Sequence, residues 1–157
     1  MRLSGSSCIL KSEINLIEII GTGVHSTVWK AQCRGIMVAV KCPKADIPAA
    51  GEVARSILEL STLRSPDIIS LLGACLENNS VMLVMELMSG SLRKLLQSRT
   101  NLSIGIRMKI AMDVATGIHY LHSSNVVHGD LKSSNILYLG QEEQYSIRVS
   151  DFGISQV

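Results

Sequence analysis

The apolar positions of this chain change their period several times, and each change marks an element. Residues 14–20 form a β-rich apolar run that stops at Gly21, which predicts a strand. Residues 27–33 predict a second strand, Arg34-Gly35 a short turn, and residues 36–42 a third strand. Pro43 and Pro48 flank a loop. Over residues 51–63 the period lengthens, and Val53, Ile57, Leu60 and Leu63 share one face of a helix that Pro66 closes off. Residues 68–76 and 81–87 predict two more strands, joined by the turn sequence Glu77-Asn78-Asn79-Ser80. Residues 92–98 predict a short helix. Residues 104–122 predict a long one, striped by Ile106, Ile110, Val114, Ile118 and Leu121. Strands at 136–139 and 146–149 complete the order. Five strands around one helix, then helices and a small hairpin, predict an α+β lobe followed by a mostly helical one. Ser89-Gly90-Ser91 reads as the linker between them.

Composition narrows the class. A chain of 157 residues is about one domain long, enough to bury a core. Hydrophobic residues make up 46% and aromatic residues only 3%, so that core is built from Ile, Leu, Val and Met. A net charge of +2 gives no footprint for nucleic acid or an anionic membrane. No run of 18 apolar residues predicts a membrane span. Cys8, Cys33, Cys42 and Cys75 form no CxxC pair and read as reduced, buried thiols. The first residues carry neither a secretion-signal pattern nor a glycine in second place, so the expected location is the cytoplasm, with the nucleus as the other option.

Four motifs carry candidate chemistry. Gly21-Thr22-Gly23-Val24-His25-Ser26-Thr27-Val28 places two glycines between strands, where backbone can approach a phosphate and aim N–H groups at it. Alone it equally describes a tight turn. Val38-Ala39-Val40-Lys41 lies on the strand after that hairpin. Alternation puts Ala39 and Lys41 on one face, with room for a flat ring over Ala39 and a cation for its phosphates. Val127-His128-Gly129-Asp130-Leu131-Lys132-Ser133-Ser134-Asn135 collects a carboxylate, an ammonium and an amide within six residues. Asp151-Phe152-Gly153 follows sixteen residues after Asn135 and offers a hard oxygen ligand.

In this order and on these elements, the motifs resemble those of eukaryotic-type protein kinases, over nearly the whole chain from residue 14. The resemblance implies residues 1–13 as an extension, a five-stranded first lobe with one main helix over 14–88, and a partial helical lobe over 89–157. It implies ATP and Mg²⁺ as ligands and a protein as substrate. Ile20, Gly21, Gly23, Val28, Ala39, Lys41, Met85, Glu86, Met88 and Leu137 would bind the nucleotide. Within that set Ile20, Val28, Ala39 and Leu137 would sandwich adenine, Met85 would be the gatekeeper, and Glu86 and Met88 would offer backbone groups to its edge. Asp130 would accept the substrate hydroxyl's proton, Lys132 would stabilise the phosphoryl in transfer, and Asn135 and Asp151 would hold the metal. Lys132, two places after Asp130, is similar to the serine/threonine pattern.

The chain departs from the family's pattern at three points. Ser26 stands for the third glycine and Gly129 for the arginine that binds an activation-loop phosphate. At the helix position where the family pairs a glutamate with Lys41 the spacing lands on Ser56, with Glu52 and Glu59 about one turn away on either side. The sequence ends six residues after Asp151. The resemblance therefore implies a kinase domain truncated after the Asp-Phe-Gly motif, itself inactive. A pseudokinase or nucleotide-binding scaffold that works by contact is the alternative.

Overall fold

The computed structural model describes residues 8–24, 26–44, 60–77, 80–98, 101–141 and 144–152. They cluster in two units, one drawn from 1–62 and 70–87, the other from 63–69 and 88–156.

The first unit is an antiparallel sheet of β1 (Ile14–Thr22), β2 (Ser26–Cys33), β3 (Ile36–Pro43), β4 (Leu71–Glu77) and β5 (Ser80–Glu86), in the order β1-β2-β3-β5-β4. The β2–β3 turn takes two residues, Arg34 at φ 48° and Gly35 at φ 83°. Two positive φ values in a two-residue loop give the twist that matches the strands on either side. Alternation then sorts the side chains. Ala31, Val38, Val40 and Val84 are buried together with Cys33 and Ile9, and Trp29 packs against that cluster. Ile9 reaches it because residues 8–13, read from the sequence as an extension, lie along the sheet. The Ile9 amide donates to the Ala74 carbonyl at 3.0 Å. Arg34 Nε donates to Glu13 Oε1 at 2.8 Å, and this bond holds the Glu13 carboxyl below the usual carboxylate range. Of the helix expected over 51–63, residues 60–62 are helical and 51–59 lie outside the described residues.

The second unit contains β6 (Gly90–Ser91), α1 (Leu92–Gln97), α2 (Ile104–Ser123), β7 (Ile136–Gln141) and β8 (Gln144–Val149), with a sheet in the order β6-β7-β8. Ser89-Gly90-Ser91 is thus not a linker. Gly90 and Ser91 pair with Tyr138 and Leu137. The absence of a side chain at Gly90 admits the Tyr138 ring, which a Cβ there would meet at 3.1 Å. Ser91 Oγ caps α1 by accepting from the Lys94 amide at 3.4 Å. The strand expected over 68–76 also divides. β4 begins at Leu71, whereas the Val149 amide donates to the Asp67 carbonyl and the Ile69 amide to the Val149 carbonyl, both at 2.9 Å. An unbroken apolar run does not reveal that its two ends pair with different partners.

Helix α2 packs on β8, and Ile110, Gly117 and Leu121 are its buried residues rather than the whole predicted stripe. Ile104, Met108 and Met112 form a separate exposed row. Gly117 is a close approach: a Cβ there would lie 2.6 Å from the Asp67 carbonyl oxygen and 2.9 Å from Val149 Cγ2. Alanine improves helix propensity by about 1 kcal/mol. The clash opposes this, because Asp67 O is already fixed by its bond to β8, and overpacking costs ~1–3 kcal/mol. Gly117→Ala is expected to lose about 1 kcal/mol of stability in denaturant unfolding, the overpacking cost less the propensity gain. Equal or raised stability would contradict the close approach. Among the described residues no helix is long and apolar enough to cross a membrane.

Candidate active site

The strand register of the first unit assembles one face. Residues directly opposite in an antiparallel pair point the same way. Val28 is opposite Lys41, Gly21 opposite Val28, and Ala39 opposite Met85. Gly21, Val28, Ala39, Lys41 and Met85 therefore share the face opposite to the Val38–Val40 core. Ile20 is half-buried in the register shift between Ile19 and Gly21. Glu86 ends β5, and its carboxylate is turned back on the sheet, where Oε1 accepts from the Ser70 amide at 2.8 Å. Its amide donates to the Ser70 carbonyl at 3.1 Å.

The glycine turn between β1 and β2 is closed by a bond from the Gly23 amide to the Ser26 carbonyl at 2.8 Å. Its own chain does not demand glycine at either position. A Cβ on Gly21 would meet Val28 at 3.7 Å and one on Gly23 would meet Ser26 O at 3.6 Å, both ordinary contacts.

In the second unit the loop after α2 forms a dense polar cluster. Asp130 accepts from Lys132 Nζ at 2.6 Å and from Asn135 Nδ2 at 3.0 Å, both at Oδ2. Asn135 Nδ2 also donates to the Asp130 carbonyl at 2.9 Å. Two acceptors on one side fix the amide's orientation and turn its Oδ1 away from Asp130. The Lys132 bond, partly offset by desolvation and helped by Asn135, holds the Asp130 carboxyl below its ordinary value, so it is ionised across the neutral range.

Buried His128 ties this loop to the strand end. The Asp130 amide donates to Nδ1 at 3.2 Å, so Nδ1 is an acceptor. Nε2 then carries the proton and donates to the Ser150 carbonyl at 2.8 Å. Ser150 returns two bonds, its amide and its hydroxyl both donating to the Asn135 carbonyl at 2.8 and 2.9 Å. The next residue, Asp151, is thereby anchored beside Asn135 through the backbone. It sits at φ 61°, a left-handed conformation that Asp tolerates better than most residues. Phe152 is buried with its ring edge-on to His128, centroids 6.5 Å apart.

Gly129 stands where the family has arginine, and its φ of 77° gives a physical reason. A side chain is strained there and glycine is not. Ser150 was missed by sequence reasoning, because a lone serine before Asp151 carries no period and no charge. Lys44, treated below, was missed because a single lysine just past a strand end is common and belongs to no motif. Of the remaining predicted residues, Leu137 is half-buried on β7 opposite Ser91 and Arg148, and Met88 is half-buried at the start of 88–156. Gly153, Glu52, Ser56 and Glu59 lie outside the described residues.

Comparison with known proteins places these groups in a family. The profile of the family described as "Protein tyrosine and serine/threonine kinase" matches residues 14–157. Dual specificity protein kinase shkD of Dictyostelium discoideum is 33% identical over 163 residues, covering 99% of this chain and 22% of its own length. Dual specificity protein kinase shkE of the same organism is 36% identical over 146 residues, covering 89% of this chain and 20% of its own. Dual specificity testis-specific protein kinase 1 of Homo sapiens is 32% identical over 160 residues, covering 99% of this chain and 25% of its own. This chain thus spans a quarter or less of the length of each of these three relatives. It belongs to the protein tyrosine and serine/threonine kinase family.

Proposed function

We propose that the full-length protein containing this domain transfers the γ-phosphate of ATP to serine or threonine hydroxyls of protein substrates, with Mg²⁺. The observation that carries this reading is the Asp130–Lys132–Asn135 cluster, an ionised carboxylate with an ammonium and an amide on one oxygen. Phosphoryl transfer passes through a loose transition state, so positioning and charge matter more than covalent chemistry. Asp130 orients the attacking hydroxyl. Lys132 is free to exchange its bond to Asp130 for one to the phosphoryl oxygens, since both side chains are about half exposed. Lys41 and the N–H groups of the glycine turn hold the triphosphate, and the glycines that the fold itself does not need leave it room. Asn135 Oδ1 and the Asp151 carboxylate are hard oxygen donors and fit Mg²⁺. When bound, the metal offsets charge on the phosphates. A reducing compartment, cytoplasm or nucleus, accords with the four free cysteines.

Lys132 supports serine and threonine as acceptors, while the relatives' names speak of dual specificity. The full-length protein labelled from [γ-³²P]ATP, with a generic protein substrate, and hydrolysed to its phosphoamino acids separates the two. Phosphoserine and phosphothreonine without phosphotyrosine are expected. A substantial phosphotyrosine fraction would overturn the serine/threonine assignment and leave the kinase assignment standing.

A further inference from the structure

Lys44 follows β3, three residues beyond Lys41, and its ammonium donates to the Gly23 carbonyl at 2.6 Å. The β2–β3 ladder ends with Ser26 opposite Pro43, so Lys44 emerges beside the foot of the glycine turn. Two bonds then converge on Gly23. Ser26 O takes its amide and Lys44 takes its carbonyl. A trans peptide is planar, so fixing Gly23 O also fixes the direction of the Val24 N–H. Packing does not fix it, because Val24 is 82% exposed. Glycine has the widest backbone freedom of any residue, so a turn with Gly21 and Gly23 and an exposed Val24 has much to lose on ordering. A bond in which the donor is charged is about twice as strong as a neutral one.

We infer that Lys44 is a positioning residue for the triphosphate: it pins the Gly23–Val24 peptide so that the glycine turn is ordered before a phosphate arrives. This rests on the nucleotide-binding reading above. Lys44 acts through the turn and not on the adenine ring, so its contribution is confined to ligands that carry phosphates. The competing view is an exposed lysine with a bond of no consequence, the common fate of solvated charged pairs.

The test is calorimetric titration of the wild type, Lys44→Met and Lys44→Arg with ATP and with adenosine, Mg²⁺ present throughout. Lys44→Met is expected to weaken ATP roughly five- to tenfold, the value of one net hydrogen bond. Adenosine affinity should be unchanged, and Lys44→Arg should restore ATP binding, because a guanidinium also donates to a carbonyl. An unaltered ATP-to-adenosine ratio in Lys44→Met overturns the inference. So does an equal weakening of both ligands with a lowered melting temperature, which marks a merely structural role. A wild type that binds no ATP overturns the nucleotide-binding reading itself, and the inference with it.

Discussion

Asp130→Asn is expected to lower the turnover of phosphoryl transfer roughly 10²–10⁴-fold, the usual worth of a positioned acid–base group. Asparagine keeps the shape of aspartate and retains one oxygen for Asn135 Nδ2 or Lys132 Nζ, which both meet at Asp130 Oδ2. What it loses is the negative charge that accepts from the substrate hydroxyl. Nucleotide affinity should therefore stay near the wild-type value while kcat falls, and steady-state kinetics against nucleotide titration separates the two. The pH dependence follows from the same cluster. Asp130 lies below its ordinary carboxyl value because Lys132 bonds to its ionised form. Its contribution is present in full above that ordinary value and is lost only as pH falls through the lowered one. Activity should thus not titrate with Asp130 across the neutral range. A kcat unchanged by Asp130→Asn would remove this residue from the mechanism.

Asp151→Asn is expected to cost about 10²-fold or more in turnover, the scale seen when one preorganised electrostatic group of an active site, such as an oxyanion-hole donor, is lost. The variant isolates charge for a structural reason. Asp151 has φ 61°, and asparagine enters the left-handed region as readily as aspartate. Alanine there would add backbone strain and confuse the result. The loss should include the Mg²⁺ dependence: Mg²⁺ should strengthen ATP binding to the wild type and do so much less for Asp151→Asn. Titrations of ATP with and without Mg²⁺ measure this. Equal Mg²⁺ enhancement in both proteins would exclude Asp151 as the metal ligand.

The motifs that hold these two residues were legible in the sequence because their spacing survives without any knowledge of the fold. The strands were legible through alternation: the register that unites Gly21, Val28, Ala39, Lys41 and Met85 on one face repeats the period-two reading of Val38-Ala39-Val40-Lys41. What escaped depends on partners distant in sequence. Ser89-Gly90-Ser91 looks like a linker until Tyr138 pairs with Gly90. Residues 68 and 69 look like the start of β4 until β8 claims that stretch of backbone. Gly117 offers no apolar signal, yet it lets α2 meet the Asp67 carbonyl where a larger residue could not. Gly129 looked like the loss of an arginine, and only its backbone angle shows why glycine fits there. Periodicity reports which face of an element is apolar, and not what that face meets.

The central claim is that Asp130 and the groups bonded to it serve phosphoryl transfer in the full-length protein, and not merely the holding of a nucleotide. The most direct measurement compares γ-labelled with α-labelled ATP, incubated with Mg²⁺, the full-length protein and a protein substrate, for wild type and Asp130→Asn. The account predicts label on protein from the γ position only, dependent on Mg²⁺ and reduced at least a hundredfold by Asp130→Asn, on the order of the acid–base contribution above. ATP binding without transfer, unaffected by Asp130→Asn, would contradict it and leave a nucleotide-binding scaffold in its place.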